Sequence, residues 1–192
     1  MTSAYRSSFF STSQRHSPVV ASVRAGNVIG GGDWAVDRLV PDAMRAFSAG
    51  RELSVRQPLA TRPWQHVLEP LRGYLMLCQL AYERPADAAQ AFNFGPDEND
   101  VVTVSTLMDL VGATWGRDGR WSAEATADLH EAGELKLDSS RARGLIGWRP
   151  SIGLREAVQM TVSFYRQFYA GAQPAELRAH LETQLDRGAH PA

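Results

Sequence analysis

Apolar positions recur along the chain at helical and strand periods in alternation. Residues 2–13 place Ala4, Tyr5, Phe9 and Phe10 at helical spacing. Only Thr2 and Ser3 offer capping ahead of them, so the segment is expected to be the tail of a longer helix. Residues 18–24, with Val19, Val20 and Val23, are short, continuous and β-branched, which predicts a buried strand of the parallel type. A glycine-rich loop is expected over 25–34. A helix follows over 38–49 with Leu39, Val40, Ala43, Met44 and Phe47 on one face, and Gly50 stops it. Residues 53–56 read as a short strand and 61–67 as an extended segment. Glu69-Pro70 opens a helix whose apolar stripe is read as Leu71, Tyr74, Leu75, Cys78 and Tyr82. Residues 91–95 predict a strand ending at a glycine. Thr103 or Ser105 caps a helix running to about 115. Ser139 starts a short helix to 147. Residues 154–170 form an amphipathic helix with Leu154, Val158, Val162 and Tyr165 on its stripe. The polar last 20 residues are helix-prone and expected to fray.

Short strands alternating with helices predict an α/β fold. The 192 residues suit one domain over 1–170 with a helical or frayed tail over 171–192. Apolar content is 44% and charged content 21%, as in soluble globular chains. A net charge of −1 calls for neither nucleic acid nor an anionic membrane. No apolar run reaches the roughly 20 residues of a membrane helix, and the N-terminus has no signal-type apolar core. The single cysteine, Cys78, excludes an internal disulfide, and its place in an apolar stripe predicts a buried, inert thiol. The five histidines lack metal-ligand spacing. These features point to a cytoplasmic protein.

The glycine loop follows a strand, the setting in which backbone N–H groups approach a phosphate. It matches neither the dinucleotide fingerprint nor a Walker loop, which needs Lys and Ser/Thr where this chain has Gly32 and Asp33. It reads equally as a plain flexible turn. The run Arg24-Ala25-Gly26-Asn27-Val28-Ile29-Gly30-Gly31-Gly32-Asp33-Trp34 nevertheless resembles a signature of the CDP-glucose 4,6-dehydratases, members of the extended short-chain dehydrogenase/reductase superfamily. Ala60-Thr61-Arg62-Pro63-Trp64-Gln65-His66-Val67-Leu68-Glu69-Pro70 resembles a second block. Phe92-Asn93-Phe94-Gly95-Pro96 resembles a third. His130-Glu131-Ala132, Leu135-Lys136-Leu137-Asp138-Ser139-Ser140 and Gly147-Trp148-Arg149-Pro150 make up a fourth. The blocks stand in family order.

The resemblance implies the C-terminal part of a Rossmann-like extended fold: its last sheet strands plus a small lobe that binds a CDP-sugar. NAD in the complete enzyme would be held by an N-terminal half. Asn27 is similar to a residue on the sugar-nucleotide phosphates, Arg38 to a substrate-contacting position, and Arg62 to a diphosphate-binding arginine, a task suited to a planar guanidinium. Arg56 aligns with a base- or ribose-facing position, and reads equally as an exposed edge-strand arginine. His66 joins the candidates, as do His130 and Glu131, which fall where relatives keep residues near the ribose. As bare residues the two histidines read also as polar surface positions. Trp64 reads as core, Glu69 as a helix N-terminal charge, and Trp148 as packing for a turn.

The family reaction needs a Tyr-x-x-x-Lys helix, acid–base residues and NAD. No tyrosine here has a lysine four residues on, since the only lysine is Lys136. The resemblance implies that the chain begins within that helix, as a fragment, a shortened gene or one half of a split enzyme, and that relatives are homodimers. Two other readings stay open: a non-catalytic sugar-nucleotide-binding module, and a piece of a different sugar-nucleotide epimerase or dehydratase.

Overall fold

The structure, a computed structural model, describes residues 2–10, 18–124 and 135–189. The chain opens with α1 (Thr2–Phe9), β1 (Ser22–Ala25), β2 (Asn27–Ile29), α2 (Leu39–Ser48), β3 (Leu53–Val55) and β4 (Thr61–His66). It continues through α3 (Leu68–Glu83), α4 (Pro85–Ala88), β5 (Ala91–Phe94), β6 (Val101–Thr103), α5 (Val104–Trp115) and β7 (Trp121–Ala123). It closes with α6 (Leu154–Tyr169) and α7 (Pro174–Ala189). β1 pairs in parallel with β5, β2 in parallel with β4, and β3 in parallel with β7; β6 adds to β4 antiparallel. The fold is therefore α/β, built on short parallel pairings.

Two apolar clusters hold these pieces. The first joins Val40, Met44 and Phe47 of α2 with Leu107 and Met108 of α5, Val158, Val162 and Tyr165 of α6, and Trp64 of β4. Burying side chains of this size contributes about 1.5–3 kcal/mol each. The second joins Leu77 and Leu80 of α3 with Phe92 and Phe94 of β5, and with Trp148. Thr103 caps α5 by accepting from the Thr106 N–H at 3.1 Å, as its residue type predicts.

Several expectations need correcting. The sequence stretch 25–34 is not loop throughout, because Asn27–Ile29 forms β2 against β4. The stripe assigned to α3 mostly faces outward: Leu75 and Tyr82 are 72% and 91% exposed and Cys78 is an exposed thiol, not a buried one, while Tyr74 packs inward against Phe94. The inner face is made instead by Glu69, Pro70, Gly73, Leu77 and Leu80. Gly73 explains the inversion, since a Cβ there would meet the Phe94 ring at 2.4 Å. The helix touches the sheet through a missing side chain, which hydrophobicity does not register.

Glu69 is also more than a terminal charge. It is 1% exposed and accepts from Ser151 N (3.1 Å), Ser151 Oγ (2.8 Å) and Ile152 N (2.9 Å), with Arg72 at 3.1 Å. It thereby ties α3 to the segment that starts α6. Trp148 does pack the turn as expected: fully buried, it stands edge-on to Phe94 and donates from Nε1 to the Glu69 carbonyl at 3.1 Å. The described part of the tail is the helix α7, whose Leu177 and Leu181 pack against the first cluster. Among the described residues no helix is long and apolar enough to cross a membrane.

Candidate functional site

β4 organises the site. Its parallel pairing with β2 sets Asn27 opposite Trp64, and its antiparallel pairing with β6 sets Arg62 opposite Val102. Arg62 and Trp64 are two apart on one strand and so share a face. Trp64 is 5% exposed and donates from Nε1 to the Val102 carbonyl at 3.3 Å. The Arg62 Nη1 donates to the Thr61 carbonyl at 3.0 Å.

In front of this face lie two adjoining cavities. One, of about 510 Å³, runs between Asn27 and the first turn of α2, where Arg38, Leu39 and Val40 line it. No side chain caps α2 at Arg38, so its first N–H groups offer the partial positive charge that suits an anion. The other, of about 620 Å³, shares Asn27, Asp37, Leu39 and Trp64 and extends along β3 to Arg56 and Arg62. Four of the sequence candidates, Asn27, Arg38, Arg56 and Arg62, thus line one groove.

Of the other three, His66 does not. His66 is 1% exposed and lines neither cavity. Its Nδ1 faces the Leu68 N–H at 3.4 Å and its Nε2 has no partner among the described residues. Burial pulls its pKa down to about 4, against the attraction of Glu69 and Glu156, so the ring is neutral near pH 7. A neutral ring beneath the groove is core, not a ligand for phosphate. His130 and Glu131 lie outside the described residues.

The glycines on either side of β2 work differently from their expected role. A Cβ on Gly31 would meet the Phe164 ring at 2.3 Å, and one on Gly26 the Pro63 carbonyl at 2.4 Å. These glycines let α6 and β4 approach closely; they are not a phosphate cradle. The far end of the loop is pinned. Tyr165 donates from its hydroxyl to the Asp33 carbonyl at 2.5 Å, and burial pushes its pKa up to about 12, keeping it a donor. Arg45 donates to the carbonyls of Trp34 (3.3 Å) and Ala35 (2.9 Å), and pairs with Asp42. Trp34 stands edge-on to Tyr165 and tilted against Phe168. Asp37, just before Arg38, has φ 60°, a left-handed conformation that Asp tolerates better than most residues.

Sequence reasoning passed over the acidic side of this groove. Arg38, Arg56 and Arg62 are matched by Asp33, Asp37 and Asp42 in its walls. The available signal was Asp37 itself, an acidic residue adjoining a candidate arginine in a loop. The arrangement can hold a phosphate-bearing ligand that also carries hydrogen-bond donors. Among the described residues no nucleophile–base pair lines it.

No protein-family model matches the chain. It is 44% identical over 171 residues to CDP-glucose 4,6-dehydratase of Salmonella typhimurium, a match covering 88% of this chain and 48% of that protein. The chain thus spans about half the length of the curated relative it matches. In structure it is similar to UDP-glucuronic acid 4-epimerase of Bacillus cereus, solved with UDP-glucuronic acid and NAD, at TM-score 0.70 and 16% identity. That likeness covers 88% of this chain and 49% of the epimerase. UDP-glucose-4-epimerase of Stenotrophomonas maltophila, solved with NAD and formylated UDP-arabinopyranose, gives TM-score 0.70 at 16% identity, over 88% of this chain and 54% of its own.

The described residues do not themselves fit a dinucleotide. β1 runs directly into β2, β5 into a 3-10 turn, and after β2 Gly30 is closed off by Val67 and Gly31 by Phe164. No strand, glycine turn and helix N-terminus meet here in the way a pyrophosphate of NAD requires. By sequence the chain is similar to about half of CDP-glucose 4,6-dehydratase, and its fold is that of the matching part of the sugar-nucleotide epimerase structures.

Proposed function

We propose that the chain forms the sugar-nucleotide-binding half of a CDP-glucose 4,6-dehydratase, which converts CDP-D-glucose to CDP-4-dehydro-6-deoxy-D-glucose and water. The observation that carries this reading is the convergence of Asn27, Arg38, Arg56 and Arg62 on one groove at the uncapped start of α2. The diphosphate lies between Arg38, the first N–H groups of α2 and Arg62, with Asn27 donating an amide hydrogen bond. The groove therefore binds and orients the substrate. Hydride transfer through NAD, and the Tyr-Lys pair that serves it, belong to the rest of the enzyme, an N-terminal Rossmann half. The open faces of α1 and β1 suit that half as a cover: Tyr5, Phe9 and Val23 are 57%, 68% and 40% exposed. The complete enzyme is proposed to be a cytoplasmic homodimer.

Calorimetry with CDP-glucose tests the reading. Saturable binding by the chain, weakened in Arg62→Ala, supports it; no heat and no thermal shift oppose it. The purified chain with added NAD is expected to yield no 4-keto-6-deoxy product. Binding without turnover is also what a non-catalytic module would show. An upstream in-frame stretch encoding a dinucleotide fingerprint and Tyr-x-x-x-Lys favours the enzyme.

A further inference from the structure

The groove is not cationic by itself. Asp33, Asp37 and Arg38 line one of its cavities, and Asp37, Asp42, Arg56 and Arg62 the other. The formal charges of Arg38, Arg56 and Arg62 are thus cancelled by those of Asp33, Asp37 and Asp42. The start of α2 adds only a partial positive charge. A diphosphate is an anion, so a cation standing outside the groove must tip the balance.

Arg45 lines neither cavity. It stands one turn beyond Asp42 on α2 and pairs with the Asp42 Oδ1. Its Nη2 also donates to the Ala35 carbonyl at 2.9 Å and its Nη1 to the Trp34 carbonyl at 3.3 Å. These bonds hold the guanidinium fork against Asp42. The two side chains are 31% and 33% exposed, so the pair is screened less than one on open surface. The same loop occupies a second carboxylate: the Asp33 Oδ1 accepts from the Ala35 N–H at 3.0 Å.

Asp42 has its own reason to be there. It is the acidic residue of the first turn of α2, where a carboxylate stabilises a helix. Unopposed, that carboxylate would repel a phosphate in the cavity it shares with Arg56 and Arg62, or draw one of those arginines onto itself. Resting on the reading of the groove as a sugar-nucleotide site, we infer that Arg45 is a positioning residue for the diphosphate: by engaging Asp42 it leaves the groove attractive to an anion. Arg45 acts through Asp42 and touches neither the substrate nor the reacting atoms.

The test is calorimetry of the full chain with CDP-glucose, at low salt and at about 1 M salt, where the screening length falls to about 3 Å. Arg45→Met is expected to weaken binding about five- to tenfold at low salt and less at high salt. Arg45→Lys keeps a cation beside Asp42 but cannot span both loop carbonyls, and should stay within about twofold of the wild type. Adding Asp42→Asn to Arg45→Met should restore binding to within about twofold. Asp42→Asn alone, with Arg45 in place, should tighten binding about threefold. That variant carries the test if thermal unfolding shows that Arg45→Met does not fold. A folded Arg45→Met with unchanged affinity, or an Asp42→Asn that binds no more tightly, overturns the inference. So does a loss that neither Arg45→Lys nor the added Asp42→Asn restores, because Arg45 would then act only by holding the loop. Each of these results leaves binding by the wild-type chain, and so the groove reading, intact. Absence of binding by the wild-type chain overturns both.

Discussion

The two apolar clusters of the chain are built to different degrees of closure. Around α2, α5 and α6, side chains from helices and from β2, β3 and β4 interlock, and the groove rests on this cluster. Around β5 and Trp148 the sheet is only a parallel pair, β1 with β5, and α1 carries no buried residue at all. Parallel strands are ordinarily covered on both faces; here Val23 of β1 is 40% exposed. The ligand groove therefore draws most of its shape from the closed cluster, with only Ala25 at the end of β1 reaching one of its cavities. Binding can survive where turnover does not.

The sharpest way to break this comparison is inside the less complete cluster. Trp148→Ala removes a fully buried indole and its hydrogen bond to the Glu69 carbonyl. It should cost about 3–5 kcal/mol in denaturant unfolding. A loss under about 1 kcal/mol would mean that this cluster does not act as a core.

The junction between the clusters is expected to be sensitive to acid. An unfolded histidine binds its proton near pH 6.5, whereas buried His66, between Glu69 of α3 and Glu156 of α6, resists until about pH 4. The stability contributed by neutral His66 is thus present above pH 6.5 and lost as pH falls toward 4. The loss is about 3 kcal/mol at most, at about 1.4 kcal/mol per pH unit. Unfolding measured between pH 7 and pH 4 should show it, and His66→Asn should flatten it. A profile identical in both proteins contradicts the assignment.

Within the groove, Arg62→Ala should weaken CDP-glucose binding by about 1.5–3 kcal/mol, the range for a hydrogen bond to a charged group. An unchanged affinity places Arg62 outside the site. The smallest effect is reserved for the open face: Phe9→Ser, at a position 68% exposed, should shift unfolding by no more than about 0.5 kcal/mol. A large loss would mean that α1 already packs on something in solution.

What could be read from the residues, and what could not, follows the same division. α2 and α6 were legible because their apolar stripes are the buried faces, and α5 because Thr103 caps it. Three of the phosphate-side candidates, Asn27, Arg38 and Arg62, were reached through motif resemblance, and the groove brings them together with Arg56. α3 was misread because its inner face is Glu69, Pro70 and Gly73, residues that contribute by a buried charge and a close approach, not by hydrophobicity. His66 was misread for a related reason: a polar residue ending a strand looks exposed until the next helix covers it.

The most direct test of the account is amide hydrogen exchange on the chain with and without CDP-glucose. Protection is expected at Asn27–Ile29, at the first turn of α2 and along Leu53–Val55, with no change in α1 or over residues 22–24 of β1. Unchanged exchange at all three groove segments, or protection confined to α1 and β1, would contradict it.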